Sequence, residues 1–395
     1  MNPNVEKLNH IASQPERLII GLMSGTSLDG LDVALCRFRG DGLQTSVQLL
    51  AFRTVPYAED IKLRIQSVFA KKQADLQHVC LLNAWIGSLH AEMVLSCLQE
   101  WDYQPEQVGL IASHGQTIYH APKSLHNLPD YPNATLQIGD GDHIAVRTGI
   151  ITLSDFRQKH IAAGGEGAPL AVYGDYLLFS RKDEDRILLN MGGIANFTYL
   201  PGDLDARRIF STDVGPGNTL IDAFTRLYFP GKAFDENGQI AASGTVDRNL
   251  LAALLDHPFF AAPFPKTTGP ELFSVDYVQQ KQAHSNTQEL SPQDLIATLT
   301  RFSAEGIAHS IRPGFTHTKP VVYMSGGGMH NPVIVKGLKE LLPDFSFRDT
   351  AALGVLPDAK EAVLFAVLAN EAVAGGRTNF GNLPNVTMGK VSFPS

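Results

Sequence analysis

Three observations predict an α/β protein built in two lobes. Apolar strand-like runs alternate with helical stripes along the chain. Two distant stretches, LIIGLMSGTSLDGLDVALCRF (18–38) and RILLNMGGIANFTYLP (186–201), each read as strand, glycine-bearing turn, strand. At 395 residues the chain is long enough to bury two cores. The second hairpin is a weak echo of the first, as two related lobes require.

The elements follow in order. The first 17 residues are polar and mixed in charge, and read as a short frayed extension rather than a signal or transit peptide. Leu18 to Met23 is a buried-strand run. Leu31 to Phe38 alternates, with Leu31, Val33 and Leu35 against Asp32 and Arg37. A helix is expected over about 75–100, where Leu82, Ile86, Leu89, Met93 and Cys97 form one stripe and His90 beside it is structural. Residues 108–120 form a strand that enters SHGQT, and 120–133 are loop. After the second hairpin, 209–229 reads as strand, Asp–Gly turn and a helix from about Asn218. Residues 257–270 read as a Pro-rich surface loop or lid. Ser291, Pro292 and Asp294 open a helix as N-cap, first position and first-turn acid. VVYMSGGGMHNP gives a strand, three glycines and a helix capped by Asn331. A last helix begins near Pro357 and ends at Gly375-Gly376.

Composition narrows the function. A formal charge of −8 with no basic run gives no electrostatic reason to bind nucleic acid or an anionic membrane. Cys36, Cys80 and Cys97 form no CxxC and read as reduced, buried thiols of an intracellular protein. No apolar run reaches the ~18 residues that span a bilayer. A soluble, cytoplasmic protein is expected.

Four glycine-rich turns follow strands: Ser24 to Gly30, Gly192-Gly193, Asp213 to Asn218, and Gly326 to Gly328. Glycine admits close approach and offers N–H groups to phosphate oxygens. The hydroxyls of Ser24, Thr26 and Ser27 add donors, and Asp29 and Asp32 suit a hydrated metal ion. Any one turn is as well explained by tight backbone geometry; four together point to phosphate. The chain has no GxxxxGK[ST] and matches GxGxxG only loosely, so neither a Walker nor a dinucleotide site is expected. Gly326 to Gly328 instead suit passage beside a flat ring such as adenine. Asp213, at a strand end, is either a base for a nucleophile or an Asx-turn or helix-cap residue. His114 and Gln116 are placed to contact a polar substrate, or to be satisfied internally. Arg157, with Asp155 and Glu166 around a glycine pair, matches a substrate carboxylate. The histidines lack metal-cage spacing.

Together the segments GLMSGTSLDGLDVAL, SHGQT, QIGD, DFR, GGEGAPL, LNMGGIAN, DVGPGN, PKTTG, SGGGMHNP and NLPNVT run in order from Leu18 to Thr387. In this the sequence resembles the anhydro-N-acetylmuramic acid kinases, a branch of the sugar-kinase and actin-like ATPase superfamily. The resemblance implies an RNase-H-like mixed sheet in each lobe, with ATP and sugar in the cleft between. Lobe I would hold 1–145 and 376–395, lobe II 146–375. It implies a homodimer that uses ATP and Mg²⁺ on 1,6-anhydro-N-acetylmuramic acid. Water attacks the anomeric carbon, the anhydro bridge opens, and O6 takes the γ-phosphoryl group, giving N-acetylmuramic acid 6-phosphate in cell-wall recycling.

Carried over by motif, Gly25, Thr26, Ser27, Leu28, Asp29, Gly30, Leu31 and Asp32 form the first phosphate loop, with Asp29 toward hydrated Mg²⁺. Gly192, Gly193, Gly215, Gly217 and Asn218 line the phosphates from the other lobe. Gly326, Gly327, Gly328 and Asn331 lie by the nucleoside, and Asp213 is the base that activates water. Thr117 and Gly139, joined by His114, Gln116 and Arg157, contact the sugar. The chain departs from the family pattern at Glu166, His160, Pro270 and the terminal VTMGKVSFPS, which bears on fine substrate contacts. Rival readings are a kinase for another amino sugar on the same fold and a non-catalytic ATP-dependent switch. The first 17 residues are too short for the helix-turn-helix of a repressor relative.

Overall fold

The computed structural model describes residues 1–395 except Thr26, Pro270, Thr316 and Arg377. Its strands are β1 (Glu16–Ser24), β2 (Gly30–Arg39), β3 (Ser46–Pro56), β4 (Leu110–Ala121), β5 (Ala134–Ile138), β6 (Ile151–Ser154), β7 (Arg186–Met191), β8 (Ile194–Leu200), β9 (Phe210–Pro216), β10 (Val321–Ser325), β11 (Ser346–Asp349) and β12 (Lys390–Ser392). The helices that matter for the site are α1 (Pro3–Ser13), α2 (Leu76–Glu100), α3 (Gly141–Thr148), α4 (Thr219–Tyr228), α5 (Pro292–Gly314), α6 (Pro332–Leu341) and α7 (Lys360–Ala374). They divide into two compact units, Met1–Ser180 with Gly354–Ser395, and Arg181–Leu353.

In the first unit the sheet order is β12-β6-β4-β1-β2-β3, with β5 beside β4. β1, β2 and β3 form an antiparallel meander, and β4 and β6 continue it in parallel. In the second unit the order is β11-β10-β7-β8-β9. β7, β8 and β9 again form the meander, and β10 and β11 run parallel to β7. Both sheets therefore have the RNase-H-like order, and the echo between the two hairpins is one of topology.

The predicted alternation of β2 is replaced by burial on both faces. Ala34, Cys36 and Phe38 are as inaccessible as Leu31, Val33 and Leu35, because helices cover both sides of a central strand. α7 lies on β1, β2 and β4, and α2 packs against β2, β4 and β5. Gly21 makes the first contact possible, since a Cβ there would run into the Ala362 carbonyl. The second core gathers Ile187, Leu189, Phe197, Phe224, Phe302 and Val322 around β7, β8, α4 and α5.

Several expectations change. The lobe boundary falls at Ser180/Arg181 rather than 145/146, and 354–375 also joins the first unit. β6 hydrogen-bonds to β4, and α7 covers β1, so both segments are fixed by contacts that local sequence does not announce. The N-terminal extension is a helix, α1, capped by Asn2 and anchored by buried Ile11. Cys36 and Cys97 are buried, but Cys80 is exposed. α2 is long and apolar enough to cross a membrane by length and composition. Its inner residues Leu82, Ile86, Val94, Cys97 and Leu98 nevertheless belong to the first core. The stretch 257–270 is no free lid: it holds a short helix, Pro258–Ala261, and buried Lys266.

Candidate active site

In the second unit three of the glycine turns converge. The β7–β8 hairpin turns at Gly192-Gly193, and the start of α4 is locked onto it by three hydrogen bonds. Gly217 N–H donates to Gly193 O at 2.8 Å, Asn218 N–H to Gly192 O at 2.8 Å, and Thr219 N–H to Gly193 O at 3.1 Å. A Cβ on Gly217 would collide with the Gly192 carbonyl. From the other side the turn after β10 closes in. Gly326 has φ +79°, and a Cβ there would come within 2.5 Å of Asn190 Oδ1. A Cβ on Gly328 would sit 3.2 Å from Asn218 Oδ1.

This packing separates the predicted phosphate contacts. The amides of Gly217 and Asn218 are consumed by the hairpin carbonyls, and Gly215 is buried within β9. Asn331 caps α6, its Oδ1 accepting from Val333 and Ile334 N–H at 3.0 and 3.3 Å. In the structure these four residues hold the turns together. Exposed backbone remains at Gly193 and Gly327, with Gly192 and Gly326 half-buried.

Asp213 lies inside β9 and caps nothing. Its own N–H donates to Lys266 O at 2.9 Å, and its Oδ2 accepts the Thr268 N–H at 2.9 Å. Thr212 and Lys266 exchange a second pair of bonds, Lys266 N–H to Thr212 Oγ1 at 3.0 Å and Thr212 Oγ1 to Lys266 O at 3.2 Å. The PKTTG segment is thus laid along β9 as a strap. Lys266 anchors it by donating from Nζ to the Phe259 and Phe260 carbonyls at 2.9 and 3.3 Å. Desolvation raises the Asp213 pKa, the Thr268 N–H opposes this, and Glu271 adds to it. The Asx-turn and cap alternatives are excluded; a positioned, half-buried carboxylate of raised basicity remains.

In the first unit the loop after β1 divides. Thr26 lies outside the described residues. Ser27 and Asp29 are exposed and Gly25 is half-buried. Leu28 and Leu31 point into the core, with Leu28 held at φ +59°, and Gly30 begins β2 in register with Pro56. Leu28, Gly30 and Leu31 are therefore structural. Asp32 accepts from Thr54 Oγ1 at 2.5 Å. Its pKa is raised, first by desolvation, with Asp358 and Asp29 contributing.

Of the predicted sugar contacts, Gln116 is fully buried and engaged at both ends. Its Oε1 accepts from Ser24 Oγ at 2.5 Å, while its Nε2 donates to Gly25 O at 3.3 Å and Thr117 O at 3.1 Å. His114 is 3% exposed, and its Nε2 accepts from Arg157 Nε at 3.0 Å. Burial, aided by the Arg157 charge, lowers its pKa to about 3. Arg157 also donates to Gly167 O at 2.7 Å, and Glu361 is the carboxylate whose charge favours it. Its fork is thus largely committed within the protein rather than free for a ligand carboxylate. Thr117 is half-exposed, its Oγ1 accepting from Gln137 at 3.0 Å. Gly139, at φ +108°, donates its N–H to Asn83 Oδ1 at 2.9 Å. A cavity of about 370 Å³ is lined by His114, Gly139, Asp140, Asp155 and Lys390, among others.

The model of the family "AnmK: Anhydro-N-acetylmuramic acid kinase" matches residues 17–392. The chain belongs to the anhydro-N-acetylmuramic acid kinase family. An anhydro-N-acetylmuramic acid kinase from Pseudoalteromonas atlantica is 56% identical over 400 residues, covering 100% of both chains. One from Caldanaerobacter subterraneus is 39% identical over 401 residues, covering 98% of this chain and all of that one. Among solved structures, the activator of 2-hydroxyisocaproyl-CoA dehydratase from Clostridium difficile with bound ADPNP aligns over 90% of this chain and 95% of that one. The TM-score is 0.43 and the identity 11%.

A kinase family implies ATP as phosphoryl donor and a small-molecule acceptor. Against that background some residues at the site were missed from sequence. Thr268 and Lys266 sit in the quoted PKTTG motif, which was the available signal for the strap on Asp213. Glu361 opens α7 near Asp32 and Arg157, and its pKa is raised, first by desolvation and then by Asp32. Tyr57 and Asn83 have no local pattern to mark them. His90, read as structural, is fully buried with its pKa lowered to about 4 by desolvation.

Proposed function

We propose that this family member opens 1,6-anhydro-N-acetylmuramic acid with water and phosphorylates the freed O6 from ATP, giving N-acetylmuramic acid 6-phosphate for cell-wall recycling. The setting of Asp213 carries the reading: a desolvated carboxylate, oriented by one backbone N–H, on the sheet whose glycine turns suit phosphate. In this mechanism Asp213 takes a proton from the water that attacks C1, the C1–O6 bond breaks, and O6 attacks the γ-phosphorus as ADP leaves. The charge on O6 passes to phosphorus, so one base suffices and the carboxyl pair of a glycosidase is not needed. In the second unit the exposed backbone at Gly192, Gly193, Gly326 and Gly327 is assigned to the nucleotide, and in the first unit Ser27 and Gly25 are assigned to phosphate. Thr117 and Gly139 are assigned to the sugar, on which His114, Gln116 and Arg157 act by holding the strand and cavity in shape.

Among the described residues no group of three or more His, Cys, Asp or Glu forms a metal cage. Asp29 and Asp32 offer hard oxygen donors whose mutual repulsion a cation would relieve, which fits Mg²⁺ held mainly by phosphate and water. When bound, the ion supplies charge neutralisation to the phosphates. A cytoplasmic homodimer completes the proposal, and sedimentation of the purified protein tests the dimer. The deciding experiment incubates protein, ATP and the anhydro sugar in ¹⁸O-water beside a panel of ordinary hexosamines. ADP, the sugar 6-phosphate and label at C1 are expected. Turnover of a hexosamine alone would favour the rival amino-sugar kinase, and an unlabelled product would exclude water attack at C1.

A further inference from the structure

One face of α2 reaches both substrate-facing turns of the first unit. Asn83 Oδ1 accepts the Gly139 N–H, and Asn83 O accepts the Asp140 N–H at 3.1 Å. One turn on, Gly87 leaves room for the Asp140 carbonyl, which a Cβ would approach to 2.6 Å. Another turn on, His90 Nε2 lies 2.7 Å from Tyr57 Oη. Tyr57 then grips the first phosphate loop at both ends. Its N–H donates to Asp29 O at 3.0 Å and its hydroxyl to Ser24 Oγ at 3.0 Å. Ser24 Oγ donates to Gln116 Oε1, and Gln116 Nε2 donates to Gly25 O and Thr117 O.

One direction of donation pairs Tyr57, Ser24 and Gln116 throughout, and leaves the buried His90 Nδ1 as the relay's one ring nitrogen without a partner among the described residues. Tyr57 and Ser24 each have one proton and each spends it forward, so His90 must donate from Nε2. The relay runs His90, Tyr57, Ser24, Gln116, and ends on the backbone of both the phosphate loop (Gly25) and the sugar strand (Thr117). Its side chains are all less than 5% exposed, and a broken link in such a buried chain leaves polar groups unpaired.

We propose that Tyr57 is a positioning residue that fixes the phosphate loop to the strand bearing the sugar contacts, so that loading either ligand raises affinity for the other. The inference rests on the functional reading above. Tyr57 touches neither substrate; it makes the two binding surfaces of this unit move as one piece. Filling the loop stiffens the strand, and the second ligand then orders less.

The test is binding by titration calorimetry of the full chain, with 1,6-anhydro-N-acetylmuramic acid in the presence and absence of a non-hydrolysable ATP analogue. The wild-type protein is expected to show a coupling factor of about fivefold to tenfold, the worth of one or two net hydrogen bonds. Tyr57→Phe keeps the ring and the N–H to Asp29 and is expected to lower that factor to within twofold of one. Each ligand's affinity alone should change less than threefold (roughly one tenfold step is 1.4 kcal/mol). Ser24→Ala cuts the same relay from the loop end and should give the same loss, with no further loss in the double variant. A coupling factor that survives in both variants overturns the proposal, as does a double variant whose losses add. If the wild-type chain binds neither ligand, the functional reading fails instead, which is a separate outcome.

Discussion

Replacing Asp213 by Asn removes one charge and almost nothing else. The side chain keeps its size, its Oδ still accepts the Thr268 N–H now at 2.9 Å, and the Asp213 N–H to Lys266 O bond is untouched. A positioned general base contributes about 10²–10⁴ in rate, so kcat should fall by that factor, roughly 3–5 kcal/mol on the barrier. Stability should move the other way. A carboxyl whose folded pKa lies above its unfolded value contributes stability below the unfolded pKa and loses it as pH rises through the folded pKa. The ionised Asp213 is therefore a burden at neutral pH, because desolvation, the largest cause of its shift, opposes the charge. Asn carries no charge to desolvate. Coupled ADP release and thermal melting at pH 7.5, measured on the same preparations, read the two effects. The expected result is a Tm equal to or above the parent's, nucleotide affinity within a fewfold, and turnover lost. Near-normal turnover would refute the role as base. Lost turnover with a Tm lowered by many degrees would refute the claim that the residue serves chemistry rather than the fold.

Three further outcomes follow from the same geometry. Gly217→Ala drives a Cβ into the Gly192 carbonyl, backbone against backbone, and should cost about 1–3 kcal/mol of stability in the second unit along with nucleotide affinity, read by melting with and without ATP. Arg157→Lys cannot supply both bonds of the planar fork, so sugar KM should rise with little change in ATP KM; steady-state kinetics decide, and an unchanged sugar KM would count against the holding role. Acidification should loosen the first unit. His90, lowered to about 4, and His114, lowered to about 3, contribute stability above the unfolded pKa near 6.5 that is lost as pH falls. For His90 alone the loss is about 2 kcal/mol by pH 5. Both tryptophans, Trp85 and Trp101, lie in this unit, so urea unfolding followed by their fluorescence reads it, and His90→Gln should flatten the pH slope.

The second hairpin shows how far local pattern reaches. Apolar runs on either side of Gly192-Gly193 were enough to announce two strands and a turn, because strand burial leaves a readable run and a tight turn needs glycine. The helices with stripes or caps, α2, α5 and α6, were legible for the same reason: Ser291 and Asn331 cap where predicted. β3 was missed, being a largely half-exposed edge strand without a clear period. α1 reads as a frayed end because only one residue, Ile11, is buried on it.

At the candidate site the sequence determined which backbone would turn and where a carboxylate would stand. It could not determine which N–H groups stay free. Gly217 and Asn218 look like ligand contacts in a motif, yet Gly193 and Gly192, distant in sequence, claim their N–H groups, while Asn331 spends its Oδ1 on the first turn of its own helix. Gln116 and Arg157 likewise spend their donors on Gly25, Thr117, His114 and Gly167. Nor does any local signal join Tyr57 to Ser24 and His90. A chain written in order specifies what each residue can donate or accept. Only the tertiary structure decides who accepts it, because a hydrogen bond needs its partner held within about 3 Å, and the folded packing sets which groups stand that close.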